Sequence, residues 1–475
     1  MYRKKEAVQL FVGVLIAILA LLLVVPLAFG PLPASGSVGQ AWQYQVDLYA
    51  DHASEPYVYL PLVMRNYRPP PPPPVYPNDP YYYYGYQWGL NTIRAPEAWA
   101  LSRGTGLLIA VLDTGTDYNH PDLYGKVRTD IDYDYINRDE DAMDDHGHGT
   151  HVSGIAAAAT DNNLGVAGLG WEATVLPLKV LNYEGKGSTA ELIPAILYAA
   201  DRGAKVINMS LGRADPCPSN LQDAVNYAFG QGVLLVAAAG NGGTSQTVFP
   251  ANCTHVLGVA ATTSSDTRAS FSNYGDHVSV AAPGTSIYST LRNGGYGYMQ
   301  GTSMATPFVA GLAALVYARF PTYTPNQVAS AILDNARDLG TSGWDAYYGC
   351  GRIDAFQSLW EGARGDYPIC LGARVWGESA EEQGSRESEA QRGRGAAGVV
   401  PGELLVTVRA GVQGERLFRA QRLVSSETLL YQARSGVQVW RLRVPVGQEE
   451  AIIARLRADP AVVAADRNYI IYAQP

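Results

Sequence analysis

The sequence is poor in cysteine, poor in charge and free of any long block of one sign. Four cysteines in 475 residues are too few for a disulfide scaffold. None form a Cys-x-x-Cys pair, which argues against zinc ribbons and thioredoxin-like redox chemistry. Charged residues make up 17%, and Asp+Glu (44) outnumber Lys+Arg (35), for a net charge of −9. Without a basic block, nucleic-acid binding lacks its electrostatic drive. No internal repeat and no His-Glu-x-x-His pattern occur. Apolar residues, at 47%, are abundant enough to build a large core, so wholesale disorder is excluded. At roughly 150 residues per domain the length allows about three domains.

Arg3, Lys4 and Lys5 precede an uncharged apolar run from Ala7 to about Gly30. This reads as an export segment, either a signal cut near Ala34-Ser35-Gly36 or a retained anchor, with the basic cluster left inside. It is the membrane contact the sequence implies. Residues 42–67 are rich in aromatics, and Tyr57–Met64 could form a strand. Pro69–Pro74 is a run of six prolines, expected to be a stiff polyproline II spacer. A second shift of composition, at 361–398, brings Gly, Glu, Arg and Ser without apolar period and reads as a flexible linker. The divisions are 1–36 (signal or anchor), 37–79 (Pro-rich linker region), 80–362, 363–398 (linker) and 399–475.

Residues 87–360 alternate apolar runs with helical patterns. Leu107–Leu112, Lys205–Leu211, Val233–Ala239, Val256–Ala261 and Val278–Ala281 read as strands buried on both faces. Ala190–Asp201 and Asn220–Phe229 read as helices. The fold class is therefore α/β with a doubly wound, mostly parallel sheet. Ligands on such sheets sit beyond the carboxyl ends of the strands. Three clusters fall there: Val111-Leu112-Asp113-Thr114-Gly115, Asp144-Asp145-His146-Gly147-His148-Gly149-Thr150-His151, and Gly301-Thr302-Ser303-Met304-Ala305-Thr306-Pro307. Read alone, these are a turn, a loop entering a helix, and a serine cap with Pro307 in the first helical turn. An aspartic protease would need a second Asp-Thr-Gly or Asp-Ser-Gly, and none ends a strand.

Asp, His and Ser in that chain order, with these neighbours, resemble the subtilisin-like serine proteases (subtilases). Ala237-Ala238-Ala239-Gly240-Asn241 and Gly351-Arg352-Ile353-Asp354-Ala355 match as well. Unrelated serine proteases carry the same three groups in other chain orders. The resemblance spans about residues 80–360 and implies a serine endopeptidase acting on polypeptides through an acyl-enzyme, outside the cell or at its surface. It implies that Ser303 is the nucleophile, His148 the base and Asp113 its orienting carboxylate, with Asn241 donating to the oxyanion. His151 is then packed and His146 exposed. Substrate is expected to pair as a strand between Ser210-Leu211-Gly212 and Gly185-Lys186-Gly187, with Gly240 nearby and Val248 at the back of the specificity pocket. Asp122, Asp161 and Asn163 match calcium positions of the family, and Asp134, Asn137, Asp139 and Asp141 form a second oxygen-rich run. No organic cofactor is implied. A catalytically silent binding protein and a peptide transferase on the same fold are the alternatives.

Export favours pairing of the cysteines. Of three connectivities, Cys217–Cys253 and Cys350–Cys370 close the shortest loops. Residues 399–475 read as strand, helix, strand, strand, helix, strand, the ferredoxin-like split order. Pro401–Val406, Arg441–Pro445, Ala458–Val462 and Asn468-Tyr469-Ile470 resemble the inhibitory propeptide of subtilases. Such a module normally precedes the catalytic domain; here it follows. The resemblance implies that Asn468–Pro475 lies in the cleft as a product-like strand, an intramolecular inhibitor with a free carboxylate near Ser303.

Overall fold

The computed structural model describes residues 70–371, 398–421 and 425–474. The export segment, the expected strand at Tyr57–Met64 and residue 475 lie outside them. Among the described residues no helix is long and apolar enough to cross a membrane. Pro70–Pro74 carry no regular secondary structure and are exposed. From Pro72 onward the described residues make one compact unit.

A seven-stranded parallel sheet organises the larger part. Its strands are β1 (Leu108–Asp113), β2 (Tyr133–Asp134), β3 (Thr174–Lys179), β5 (Val206–Met209), β7 (Leu234–Ala238), β8 (Val256–Thr262) and β9 (Val280–Pro283), in the order β2-β3-β1-β5-β7-β8-β9. Side chains alternate along each strand, so each face has its own core. Ile109 and Val111 pack with the helices His148–Ala157 and Thr302–Arg319. Leu108, Ala110 and Leu112 pack with Thr189–Asp201 and Ser219–Gly230. Both layers are apolar, which is why the strands read as continuous hydrophobic runs. Asp113 ends β1, and Ser210 follows the adjacent β5. Two short strands, β4 (Lys186–Ser188) and β6 (Leu211–Gly212), stand outside this sheet, and β10 (Ile287–Leu291) pairs antiparallel with β11 (Gly295–Met299).

Residues 398–474 form a second layer system. Strand β12 (Val399–Val408), helix Gly414–Gln421, strands β13 (Ser426–Gln432) and β14 (Gln438–Arg443), helix Glu449–Arg457 and strand β15 (Val462–Ala473) follow one another. The sheet runs β13-β14-β12-β15, all antiparallel, and continues through β15 into β4 and β6. One face, with Leu404, Val406, Trp440 and Leu442, covers its own helices. The other, with Leu405, Val439 and Ile471, is buried against the helices Thr189–Asp201 and Ser219–Gly230.

Two sequence expectations change. Pro307 is not in the first turn; it lies inside the helix Thr302–Arg319, which starts five residues earlier. Residues 363–371 do not behave as linker. Cys370 is bonded to Cys350, Arg364 Nε donates to Asn335 Oδ1 at 3.1 Å, and Leu371 is buried in the core. Covalent and polar anchoring outweighs the loop-like composition there. The second disulfide joins Cys217 to Cys253.

Candidate active site

Asp113 emerges at the carboxyl end of β1, fully buried. His148 is the first residue of its helix, after Gly147, whose φ of 113° only glycine adopts readily. Gly149 lets that helix touch the β1 turn: a Cβ there would strike the carbonyl oxygen of Gly115. The result is a hydrogen bond of 2.7 Å between His148 Nδ1 and Asp113 Oδ1, with both side chains at 2% exposure or less. Asp113 Oδ1 also accepts the Thr114 N–H at 2.8 Å. Burial works against the imidazolium most strongly, but the Asp113 charge, its hydrogen bond and the Asp144 charge together outweigh it. The His148 pKa is raised above the ordinary imidazole value. Among the described residues, His148 Nε2 has no hydrogen-bond partner.

The other two histidines of the cluster separate as expected. His151 is buried, its Nε2 facing the carbonyls of Ile287 and Gly297, and burial drives its pKa down to about 3. His146 is exposed. Asp144, to which the sequence assigned no role, holds the loop together. It accepts from Thr114 Oγ1 and from the N–H groups of His146, Gly147 and Thr150, at 2.8–2.9 Å. Lys179, buried at the end of β3, bonds the Thr114 carbonyl at 2.7 Å and Asp145 at 2.5 Å. The contacts that tie these residues to the rest of the site, Asp144 to Thr114 and Lys179 to Thr114 and Asp145, cross between elements and leave no local pattern.

Ser303 is the second residue of its helix and makes no cap bond. Its hydroxyl donates to the Ser210 carbonyl at 2.9 Å, and the Ser210 hydroxyl donates back to the Ser303 carbonyl at 2.9 Å. Pro307 explains the return bond. An α-helix would pair the Ser303 carbonyl with the N–H of residue 307, and proline has none. Asn208 Nδ2 donates to the Ser210 hydroxyl at 3.0 Å. Asn241 Oδ1 accepts from both the N–H and the hydroxyl of Thr302 at 2.9 Å, which fixes that amide beside Ser303.

The two expected walls flank a strand, and the strand is the chain's own. Ile470, Ile471 and Tyr472 pair antiparallel with Ser188, Gly187 and Lys186, while Tyr472 and Ala473 pair with Gly212 and Leu211. The Ala473 N–H donates to the Gly185 carbonyl at 2.8 Å, and the Gln474 N–H to the Ser210 carbonyl at 3.3 Å. Gln474 Nε2 reaches the Gly212 carbonyl at 3.1 Å. Val248 is buried beside this wall; Cβ atoms added at Gly212 or Gly240 would meet it at 2.5 and 2.8 Å.

Behind the strand, side chains of the C-terminal layer reach two helix N-termini. Asp466 Oδ2 accepts the Asn220 N–H at 2.8 Å and the Ser219 hydroxyl at 2.7 Å. Asn468 Oδ1 accepts the Ala190 N–H at 3.1 Å and the Thr189 hydroxyl at 3.1 Å. Asp201 binds the Tyr431 hydroxyl at 2.7 Å and the Arg434 N–H at 3.0 Å.

The oxygen-rich positions fall into two kinds. Asp122 is buried and accepts from Asn162 Nδ2 at 2.9 Å and the Val166 N–H at 2.7 Å. Asp161 donates its N–H to Asp79 at 2.8 Å, and Asn163 its N–H to Asn78 at 2.8 Å. Asp79 Oδ1 is buried with no hydrogen-bond partner, and burial, aided by the Asp122 charge, lifts the Asp79 pKa to about 6. Asn78 and Asp79, some 80 residues away in sequence, were not singled out. In the second run the carboxylates serve local turns: Asp134 accepts from Ile136 and Asn137, and Asp141 from Met143 and Tyr118.

Comparison with known proteins agrees with this geometry. The family model described as the Subtilase family matches residues 104–351. The thermophilic serine proteinase of Bacillus sp. (strain AK1) is 46% identical over 276 residues, 58% of this chain and 67% of that protein. Thermitase of Thermoactinomyces vulgaris is 43% identical over 273 residues, 58% of this chain and 95% of its own. Among solved structures, a protease from Pseudoalteromonas arctica PAMC 21717 shares 34% identity with a TM-score of 0.56, covering 60% of this chain and 99% of that one. The matched span contains Asp113, His148, Asn241 and Ser303, and the chain belongs to the subtilase family, homologous to bacterial subtilisin-like serine proteases.

Proposed function

We propose that this chain is an exported serine endopeptidase held in check by residues 399–475. The observations that carry the reading are the buried Asp113–His148 pair and the strand of residues 470–474, whose Gln474 N–H shares the Ser210 carbonyl with the Ser303 hydroxyl. Ser303 Oγ attacks the substrate carbonyl carbon while His148 Nε2 takes its proton and later delivers it to the leaving nitrogen. For that step the hydroxyl leaves the Ser210 carbonyl, which it bonds in this structure, for His148 Nε2. Asp113 fixes the tautomer in which Nδ1 carries hydrogen and stabilises the imidazolium. The Asn241 amide and the Ser303 N–H, at the positive end of a helix, stabilise the oxyanion.

The C-terminal layer has the ferredoxin-like order and supports a propeptide-like role. Its last strand lies between both expected substrate walls; Asp466 caps the Asn220 N–H of a helix that has no side-chain cap of its own, and Asn468 shares the Ala190 N–H with the Ser188 hydroxyl. The family and the basic-apolar start of the sequence support export to the cell exterior or surface.

The Asp79–Asp122 loop pair fits a hard cation, because a buried carboxylate oxygen there lacks any donor. Calcium is the ion proposed, with Asp79, Asp122 and the 161–163 loop around it; it would neutralise two neighbouring carboxylates and fix the loop. Chelation should lower the melting temperature and added calcium restore it, with the increment lost in Asp122→Ala and kept in Asn137→Ala.

The test of the main reading compares the full chain with residues 70–371 alone. A fluorophosphonate probe should label Ser303 in the shorter protein, which hydrolyses peptides, and added residues 398–475 should suppress both. A folded 70–371 that neither reacts with the probe nor cuts peptides would refute it.

A further inference from the structure

A cavity of about 290 Å³ lies between the catalytic body and the C-terminal layer. Asp113, His148, Ser303 and residues 470–474 do not line it, so it is separate from the cleft. The catalytic side contributes Tyr133, Tyr135 and Tyr198, and β13 contributes Leu430 and Tyr431. The rings make a chain of contacts across the boundary. Tyr135 meets Tyr133 edge-on at 4.8 Å between centroids, Tyr133 meets Tyr198 at 6.4 Å, and Tyr198 meets Tyr431 edge-on at 6.2 Å. Their hydroxyls are tied to the protein. Tyr198 donates to the Ile131 carbonyl at 3.0 Å, Tyr431 to Asp201 at 2.7 Å and Tyr135 to the Pro194 carbonyl at 3.4 Å. The rings are thereby held as rigid apolar walls, and a guest meets little ordering cost. A space of this size stands at the lower end for small-molecule sites and is too small for a folded peptide segment.

The charges around it favour an anionic head group. Arg138 belongs to the lining and is exposed, which marks the mouth of the cavity, and among the described residues it makes no ion pair. The Arg202 guanidinium lies over the Tyr198 ring at 4.6 Å. The carboxylates nearby are already engaged. Glu191, also in the lining, accepts the Ser188 hydroxyl and feels the Arg441 charge, while Asp201 accepts the hydroxyls of Tyr227 and Tyr431. A guanidinium matches a carboxylate through two parallel hydrogen bonds.

We infer that this cavity binds a small aromatic carboxylate, with its rings among the tyrosines and its carboxylate on Arg138, and that such a ligand fastens the C-terminal layer to the catalytic body. The fastening rests on the reading of residues 399–475 as inhibitor. A ligand that touches both walls binds the docked state and loses its site when the walls part. Occupancy then shifts the docking equilibrium by the factor 1 + L/Kd, where L is the free ligand concentration. The protease is held more firmly when the ligand is abundant.

The experiment uses the full chain and 2-naphthoate, whose own fluorescence reports binding. Release of the layer is read as the rate at which a fluorophosphonate labels Ser303. Naphthoate should bind, and at ten times its Kd it should slow labelling about tenfold. Arg138→Ala, a change at an exposed position, should weaken naphthoate roughly tenfold or more, while 2-naphthol, which lacks the carboxylate, binds both proteins equally. Leu430→Trp fills the space and should abolish binding and slowing together. No binding at about 1 mM naphthoate, or binding that either substitution leaves unchanged, would overturn the site. Equal affinity for 2-naphthol and naphthoate would overturn the carboxylate assignment. Binding without slowing would overturn the fastening when Asp466→Ala, which loosens docking, speeds labelling of the same chain. If D466A leaves labelling unchanged, the inhibitor reading has failed and the fastening falls with it, while the site is still judged by fluorescence alone.

Discussion

The carbonyl of Ser303 is bonded to the hydroxyl of Ser210 at 2.9 Å because Pro307 cannot supply the helical N–H. One residue that breaks a helical rule thus ties the serine-bearing helix to the loop after β5. Ser210→Ala should leave the buried Ser303 carbonyl and the Asn208 amide unpaired, at a cost of about 1–3 kcal/mol. Denaturant unfolding of residues 70–371 measures this. In a Pro307→Ala background the same change should cost less, since residue 307 then donates; equal costs in the two backgrounds would refute the link.

The raised His148 pKa sets the pH response. Peptide hydrolysis by residues 70–371 should rise with pH along a limb whose midpoint lies above the ordinary imidazole value of about 6.5. The contribution to stability runs the other way. With its folded pKa raised, His148 adds stability that is full below the unfolded value and is lost as pH climbs through the folded one. Asp113→Asn should pull the midpoint down and cut kcat by roughly 10⁴, the scale for such triads. A pH–rate profile of both proteins decides it.

Asp466 caps the helix Ser219–Gly230 from outside the catalytic body. Removing it as Asp466→Ala forfeits a cap worth about 0.5–2 kcal/mol. Separately added residues 398–475 should then inhibit residues 70–371 roughly 2–30-fold more weakly, with the hydrolysis of free peptides unchanged. An inhibition constant that does not move would show that the cap adds nothing to docking.

Val248 packs against Gly212 and Gly240, and the subtilase resemblance puts it at the back of the specificity pocket. Val248→Gly should favour large side chains at the residue before the cut. The ratio of kcat/KM for phenylalanine over alanine there should rise roughly 10–200-fold, the range of 1–3 kcal/mol in an apolar pocket.

The sequence made much of this legible because its signals are local. Asp113, His148 and Ser303 sit in short motifs, and β1, β5, β7, β8 and β9 are mostly apolar runs. The helix Glu449–Arg457 and the two disulfides follow from pattern and loop length. What escaped depends on contacts across the chain. Strand β3 was not read, since Pro177 interrupts Thr174–Lys179. Asp79 meets the 161–163 loop only in three dimensions, and Lys179 is buried by partners from three elements. The order of residues 363–371 comes from Cys350 and Asn335 rather than from their own composition.

The Cys350–Cys370 staple also decides what a cut in the chain would do. It holds the catalytic side firmly as far as Leu371, while Gly398 is already paired with Ile470 on the inhibitory side. If residues 399–475 inhibit as proposed, a nick between those points would turn a tethered inhibitor, present at an effective concentration on the order of millimolar, into a free one. From then on, dilution into the surroundings would govern how much of the protease is awake.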